Sequence, residues 1–472
     1  MAADTDSSMS TAPETSAAET PSHGNSAPAN SAPGASGSDN ASTTPADDTQ
    51  RWNGLPTRRP DWFRDAPLGI FIHWGAYAVP AWAEPIGELG TFDNDHEWFS
   101  HNPYAEWYFN TIRLDGSPAQ QHQQEVFGGA PYDDFLDAWD PSDFDARDWV
   151  DLFRRAGADY VVPTTKHHDG ITLWDAPGTG DRNTVRRGPR RDIVGELAEA
   201  TTNAGLRFGV YYSGGLDWHV RPTDPIGMEG AAERMLRPLD DEYGQYCSAH
   251  VRDLIDRYAP DVFWNDIGWP DENHHFGPGG LGELLEHFYA QRPEGLINDR
   301  FSGAHHDFVT TEYQAGEIPE GEAWENCRGI GLSFGYNQVE GPEQYLSVAQ
   351  AVRHVVDAVS QGGRVLLNVG PKADGTLPEP QVAVLEGLGE FMAEHKADLA
   401  GSTGLGELEI PGATWARAVE KDGTVHVFLS GPAGEIDVPA AALPDAGWPE
   451  GGVHVHLEGE DAPPVSISAP TA

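Results

Sequence analysis

Side chains able to do acid–base chemistry recur in this chain at one kind of place, just where a short apolar run ends. In Asp261-Val262-Phe263-Trp264-Asn265-Asp266-Ile267-Gly268-Trp269-Pro270, three apolar residues lead to a carboxylate, and Gly, Trp and Pro follow. Such a run reads as a buried strand closed by a turn. The same arrangement places His73 after the run 68–72, Lys166-His167-His168-Asp169 after 160–165 and Tyr211 within 208–213. It also places Arg300 after Leu296-Ile297-Asn298-Asp299, and Glu312 at the end of 306–312. Two carboxylates, imidazole and phenol donors, a guanidinium and rings such as Trp264 suit a ligand with many hydroxyls and some apolar C–H faces, which is a sugar. Glycosidic bond hydrolysis uses one carboxyl as nucleophile or base and a second as acid. Asp266 is read as the nucleophile; the plain alternative, an Asp that only caps its turn, is set aside because of the company it keeps. His167-His168-Asp169 also resembles a metal-ligand cluster. Neighbouring residues on a regular strand point to opposite faces, so both imidazoles cannot easily chelate one ion. No metal and no other cofactor is expected.

These residues need a scaffold that gathers strand ends. Helical spacing precedes most of the runs: Tyr243, Tyr246, Val251, Leu254, Ile255 and Tyr258 lie ahead of the Asp266 strand, and Trp149, Leu152, Phe153 and Ala156 lie ahead of 160–165. Strand and helix alternate about eight times up to Val365-Leu366-Leu367-Asn368-Val369, which predicts a (β/α)8 barrel of the TIM type with its strand-end residues on one face. No G-x-G-x-x-G follows the first strand, so a dinucleotide fold has no support. The long excursion 76–141 is expected to help build the active-site face and carries Glu106-Trp107-Tyr108 on a short helix. Residues 329–337 read as a Gly-rich strand and turn containing Phe334. After about Asp398 the pattern becomes short alternating runs at 408–410, 414–419, 424–429, 435–438 and 454–457, a small antiparallel β-sandwich read as a packing module. Residues 1–50 contain no Val, Ile, Leu, Phe, Tyr or Trp and are expected to form a disordered tail. The expected domains are therefore 1–50, a catalytic barrel over 51–398 and a β-sandwich over 399–472.

Composition narrows the partners. The chain has 472 residues, with 29 basic and 75 acidic side chains and a net charge of −46. Nucleic acid and anionic membrane both call for basic patches, so neither is expected as a partner. Only four lysines occur, Lys166, Lys372, Lys396 and Lys421. An acidic, lysine-poor chain suits concentrated salt, where repulsion between charges is screened. Cys247 and Cys327 make no disulfide framework and are read as free, buried thiols. No apolar run is long enough to span a membrane, and the N-terminus lacks a basic region followed by an apolar core. A cytoplasmic location is the resulting expectation; homo-oligomerisation is left open.

The segments Gly69-Ile70-Phe71-Ile72-His73-Trp74-Gly75, Lys166-His167-His168-Asp169-Gly170, Arg191-Asp192-Ile193-Val194, Trp264-Asn265-Asp266-Ile267-Gly268-Trp269-Pro270, Asn298-Asp299-Arg300 and Leu367-Asn368-Val369-Gly370-Pro371 resemble those of the α-L-fucosidases of glycoside hydrolase family 29. The resemblance runs in order from about Trp52 to Leu399. It implies a catalytic barrel with a C-terminal β-sandwich, and a retaining exo-hydrolase that removes terminal α-linked L-fucose from a fucosylated oligosaccharide or glycoside. It implies Asp266 as nucleophile and Glu312, in Thr310-Thr311-Glu312-Tyr313, as acid/base, with Glu272, Glu317 and Glu325 as fallback candidates. The sugar contacts it implies are His73, Glu106, Trp107, His167, His168, Tyr211, Trp264 and Arg300, with Phe334 covering the 6-methyl group. Two alternatives are a barrel hydrolase for another sugar and a catalytically silent fucose-binding protein. The second would need a carboxylate missing, and both are present.

Overall fold

The computed structural model describes residues 45–87, 95–227, 237–303, 305–313 and 321–471. Eight strands are laid down in chain order: β1 Leu68–Ile72, β2 Tyr160–Lys166, β3 Arg207–Ser213, β4 Val262–Asp266, β5 Leu296–Ile297, β6 Val309–Glu312, β7 Trp324–Gly329 and β8 Arg364–Val369. They form one sheet in the order β5-β4-β3-β2-β1-β8-β7-β6, and every pairing is parallel. The two edge strands meet through the parallel bridge Asn298↔Phe308, reinforced by the Asp307 N–H donating to the Ile297 carbonyl at 2.9 Å. The sheet thus curls into a TIM-like barrel.

Packing explains why most strands read as apolar runs. β1, β4 and β8 are buried along their whole length, against the barrel interior on one side and helices on the other. Helices Ala146–Arg155, Ile193–Asn203, Asp241–Tyr258, Leu281–Gln291, Val348–Ser360 and Glu379–Leu399 supply that cover. Side-chain caps set the starts of four of them. Asp145 accepts from the Arg147 N–H, Asp192 from Gly195 and Asp240 from Tyr243, while Ser347 and Gln350 form a capping box.

The expected alternation is incomplete. Among the described residues no helix lies between β5 and β6 or between β6 and β7. β6 is accordingly only half-buried throughout. The expected strand at 329–337 is also corrected: β7 ends at Gly329, and residues 330–337 form a loop at the C-terminal mouth. β7 escaped notice because its sequence, Trp-Glu-Asn-Cys-Arg-Gly, buries Glu325 and Asn326 on specific partners instead of presenting an apolar run.

The excursion between β1 and β2 folds as short helices over the same mouth, and the Ala105 N–H donates to Ser333 Oγ at 2.8 Å. At the other end of the chain, Thr403–Glu407, Trp415–Lys421, Thr424–Ser430 and Val465–Pro470 form a four-stranded antiparallel sheet, and Gly434–Val438 pairs with Val453–Leu457. The two layers share a core of Ala416, Ala418, Val425, Val427 and Leu429 against Val438, Val455 and Leu457, which makes a small sandwich. Its first strand lies earlier than expected, at Thr403–Glu407, and Val465–Pro470 is an additional strand. Both are edge strands with few apolar residues. The module docks on the last two barrel helices, where Trp415 Nε1 and Arg417 Nε both donate to Asp357.

A helix at Pro45–Gly54 takes up the end of the segment expected to be tail, because Arg51 pairs with Glu286 at 2.7 Å and Trp52 packs on Phe276. The rest of that expected tail, residues 1–44, lies outside the described residues.

Candidate active site

Asp266 is the last residue of β4, and Glu312 is the last of β6. In both cases the next residue turns into the left-handed region, Ile267 at φ 60 and Tyr313 at φ 54. A β-branched or bulky residue there is a genuine outlier, so each strand is broken at its carboxylate by a conformation that the surroundings must enforce. Asp266 Oδ2 accepts from the Tyr211 hydroxyl at 2.8 Å, across the register that pairs β3 with β4. Asp266 Oδ1 accepts from Arg300 Nη1 at 2.8 Å, and Arg300 Nη2 donates to Glu312 Oε2 at 3.2 Å. One guanidinium therefore spans both carboxylates. It is fixed on its third side by Nε donating to Thr310 Oγ1 at 3.0 Å, and its carbon lies 4.6 Å from the centre of the Trp264 ring. Burial raises the Glu312 carboxyl above its ordinary value; Arg300 opposes this and the Asp266 charge adds to it. The protonated form that an acid catalyst needs is favoured accordingly.

Imidazoles wall the pocket. His73 Nδ1 lies 2.7 Å from Asn368 Oδ1, while the same amide's Nδ2 donates to the Phe334 carbonyl at 2.7 Å. That orientation makes His73 Nδ1 the donor and leaves Nε2 to accept. Burial lowers His73 to about 4, so the ring is neutral near pH 7. His168 Nδ1 lies 2.7 Å from Ser213 Oγ, whose own proton goes to the Leu216 carbonyl. His168 therefore also donates through Nδ1, and its Nε2 faces Asp266 at 3.9 Å. His167 stacks on Tyr211 and touches His168, and its buried Nδ1 has no partner among the described residues. Burial first, then neighbouring positive charge, holds both rings well below the ordinary imidazole value. Two ring acceptors and an unpartnered nitrogen are available to hydroxyl groups of a ligand. Among the described residues no group of three His, Cys, Asp or Glu is placed to hold a metal ion.

The loops complete the ring. Glu106 is buried on the excursion's short turn, where its Oε2 accepts from the Gly335 N–H at 2.7 Å and from Ser333 Oγ at 3.2 Å. Burial pushes its carboxyl up to about 7. Gly335 allows this approach, since a Cβ there would lie 2.9 Å from the Tyr77 ring and 3.2 Å from Glu106 Oε2. Trp107 stands edge-on to His168 and Trp218, and Phe334 packs beside His73, Tyr104 and Tyr313. The structure thus brings Asp266, Glu312, His73, His167, His168, Tyr211, Trp264 and Arg300 together with the loop residues Glu106, Trp107 and Phe334.

Among the fallback carboxylates, Glu325 faces the core, bonded to Tyr160 and to Trp264 Nε1, and Glu272 is exposed on a surface turn. Glu317 lies outside the described residues. Asn368 and Ser213, which orient the two histidines, were not singled out from the sequence. Their signal was a polar residue inside an otherwise apolar strand.

Two facing carboxyls bridged by one guanidinium, in a pocket for hydroxyls and apolar faces, have the arrangement that hydrolyses a glycosidic bond. The class is that of barrel glycoside hydrolases. A family model described as alpha-L-fucosidase matches residues 37–397. The α-L-fucosidase of Dictyostelium discoideum is 29% identical over 80% of this chain and 79% of its own length, and human plasma α-L-fucosidase is 31% identical over 69% and 66%. A solved structure of Thermotoga maritima α-fucosidase in complex with fucose is 39% identical, with a TM-score of 0.76, covering 88% of this chain and 97% of that one. The chain belongs to the α-L-fucosidase family, and it is a fucose-hydrolysing glycoside hydrolase.

Proposed function

We propose that the chain is a retaining exo-α-L-fucosidase that acts through a covalent fucosyl–enzyme intermediate on terminal fucose of oligosaccharides or glycosides. The observation that carries this reading is the single guanidinium of Arg300 holding Asp266 on Nη1 and Glu312 on Nη2. Retention needs two carboxyls about 5–5.5 Å apart, and a shared guanidinium keeps them close without letting them touch. In the first step the Asp266 carboxylate attacks the anomeric carbon while Glu312 gives its proton to the departing glycosidic oxygen. Water then enters: Glu312, now ionised, takes its proton, and the oxygen displaces Asp266. Each displacement inverts, so the pair retains the α configuration. The solved relative bound to fucose supports fucose as the occupant, with Phe334 against the 6-methyl group and His73, His167, His168 and Glu106 meeting hydroxyls.

Azide distinguishes the two roles. D266G should lose nearly all turnover, and azide standing in for the missing nucleophile should give the β-azide from an activated α-fucoside. E312A should accumulate the intermediate and be rescued by azide to the α-azide. The basic limb of its kcat/KM profile, which reports the protonated acid, should also disappear. If E312A keeps wild-type turnover and profile while a variant at Glu317 behaves this way, the acid/base assignment fails.

A further inference from the structure

The loop that carries Phe334 is held from two sides by carboxyl groups, only one of which belongs to the sugar pocket. Ser333 is the joint: its Oγ donates to Glu106 Oε2 at 3.2 Å, and its N–H donates to Glu340 Oε1 at 2.6 Å. Glu340 lies further along the same connection, and Gly331 makes room for it, since a Cβ at Gly331 would lie 2.4 Å from Glu340 Oε2. On its other side Glu340 lines a cavity of about 700 Å³ with Tyr336, Tyr345, Lys372 and Glu343. Burial pushes its carboxyl up to about 8, so below that pH it is a neutral acceptor that an amide can replace.

We propose that Glu340 is a positioning residue for substrate specificity: by accepting from the Ser333 N–H it sets the 333–335 segment so that the Phe334 ring and the Glu106 carboxyl reach their places in the pocket. Neither end of that contact touches the reacting atoms. The Phe334 carbonyl is tied to Asn368, and the Gly335 N–H to Glu106. Without the Glu340 tether the segment keeps its inner bonds and loses its outer one. The ring over the sugar's C6 position should then move, while Asp266, Glu312 and Arg300 stay in place. The consequence is loss of discrimination between a 6-methyl and a 6-hydroxymethyl sugar, with little loss of chemistry.

The inference rests on the reading of Phe334 as the cover of the 6-methyl group, so the experiment tests both. Aryl α-L-fucoside and aryl α-L-galactoside, which differ only at C6, are compared by kcat/KM for the wild type, F334A, E340A, E340D and E340Q, with a thermal melt of each. A pocket distinguishes groups of this size by roughly 10- to 200-fold. F334A should remove most of that ratio. E340A should lower it about fivefold or more, chiefly through a higher KM for the fucoside. E340D, which keeps the carboxyl but is too short to reach Ser333, should do the same, and it keeps the test alive if E340A does not fold. E340Q, which can still accept, should stay within about twofold of wild type. A ratio that collapses in F334A but stays intact in folded E340A and E340D overturns the role of Glu340 alone. An E340Q enzyme as impaired as E340A overturns it too, because the amide oxygen can accept the same Ser333 N–H and would then have restored the contact to no effect. A ratio unchanged in F334A overturns the reading of Phe334 and the inference with it.

Discussion

Asp266 has a donor on each oxygen, the Tyr211 hydroxyl on one and Arg300 on the other. Glu312 has a single donor at 3.2 Å. Under the proposed mechanism Asp266, anchored on both oxygens, suits the nucleophile, and Glu312, which burial raises above its ordinary value, suits the acid. In the proposed mechanism Tyr211 has a further effect on the second half-reaction: there the Asp266 carboxylate is the leaving group of the fucosyl ester, and the phenol donates to charge as it reappears. A hydrogen bond to a charged group contributes about 1.5–3 kcal/mol, or roughly 10- to 150-fold in rate. Y211F should therefore lower kcat by about that factor. Its ring should keep its place, stacked on Trp264 and His167. If release of the ester becomes limiting, an activated aryl fucoside should give a pre-steady-state burst of phenol. A kcat within twofold of wild type would remove Tyr211 from the mechanism.

The element that sets the two pocket histidines is the end of β2, and it is braced from behind by a buried ion pair. Lys166, the last residue of β2, is fully buried, with Nζ 3.2 Å from Asp217 Oδ2, 3.3 Å from the Tyr243 hydroxyl and 4.7 Å from the centre of the Tyr212 ring. Removing one partner of such a pair leaves a charge unpaired in the core, at a cost of about 3–5 kcal/mol. D217A should lose that much in denaturant unfolding, and the K166M/D217L double variant should lose less, because no charge is left behind. Equal losses in the two would show that the site depends on shape and not on charge. This pair also marks what the sequence reveals at the scale of elements. Lys166 stood out beside His167 and His168, and Asp217 stood in the Gly-rich turn after β3, but only the barrel brings the two turns together. Strands buried on both faces, such as β1, β4 and β8, were legible because burial demands continuous apolar runs. β6, though half-exposed for want of a covering helix, was legible from the run that ends at Glu312, whereas β7, with Glu325 tied to Trp264 and Asn326 to His354, was not. Within the site, strand-end residues were visible from pattern. Glu106 and Trp107 sit on a single short helical turn and Phe334 on a loop, none long enough to show periodicity, and only the resemblance of motifs gave them a role.

For the molecule as a whole the dominant fact is the charge of −46. Much of the small supply of arginine is committed locally: Arg182 to Asp133, Arg186 to Asp175, Arg187 to Asp137 and Arg417 to Asp357. Other acids face like charge. Glu386, Glu390 and Glu394 are exposed at four-residue spacing on helix Glu379–Leu399, where repulsion opposes the helix. Net repulsion of this kind destabilises the compact state and is relieved by screening, whose length falls from about 10 Å at 0.1 M to about 3 Å at 1 M salt. Thermal melts in KCl should therefore rise by about 5 °C or more between 0.05 and 1 M, which in a chain of this size corresponds to a few kcal/mol. The shape of the curve identifies the cause. Screening saturates once its length drops below the spacing of neighbouring carboxylates, so most of the gain should come before about 1 M. A melting temperature still climbing steeply at several molar would indicate salt exclusion from apolar surface, and sulfate would then exceed chloride at equal ionic strength. A flat profile from low salt upward would mean that the local arginine pairs already neutralise the field and that the acidic composition is no adaptation to salt.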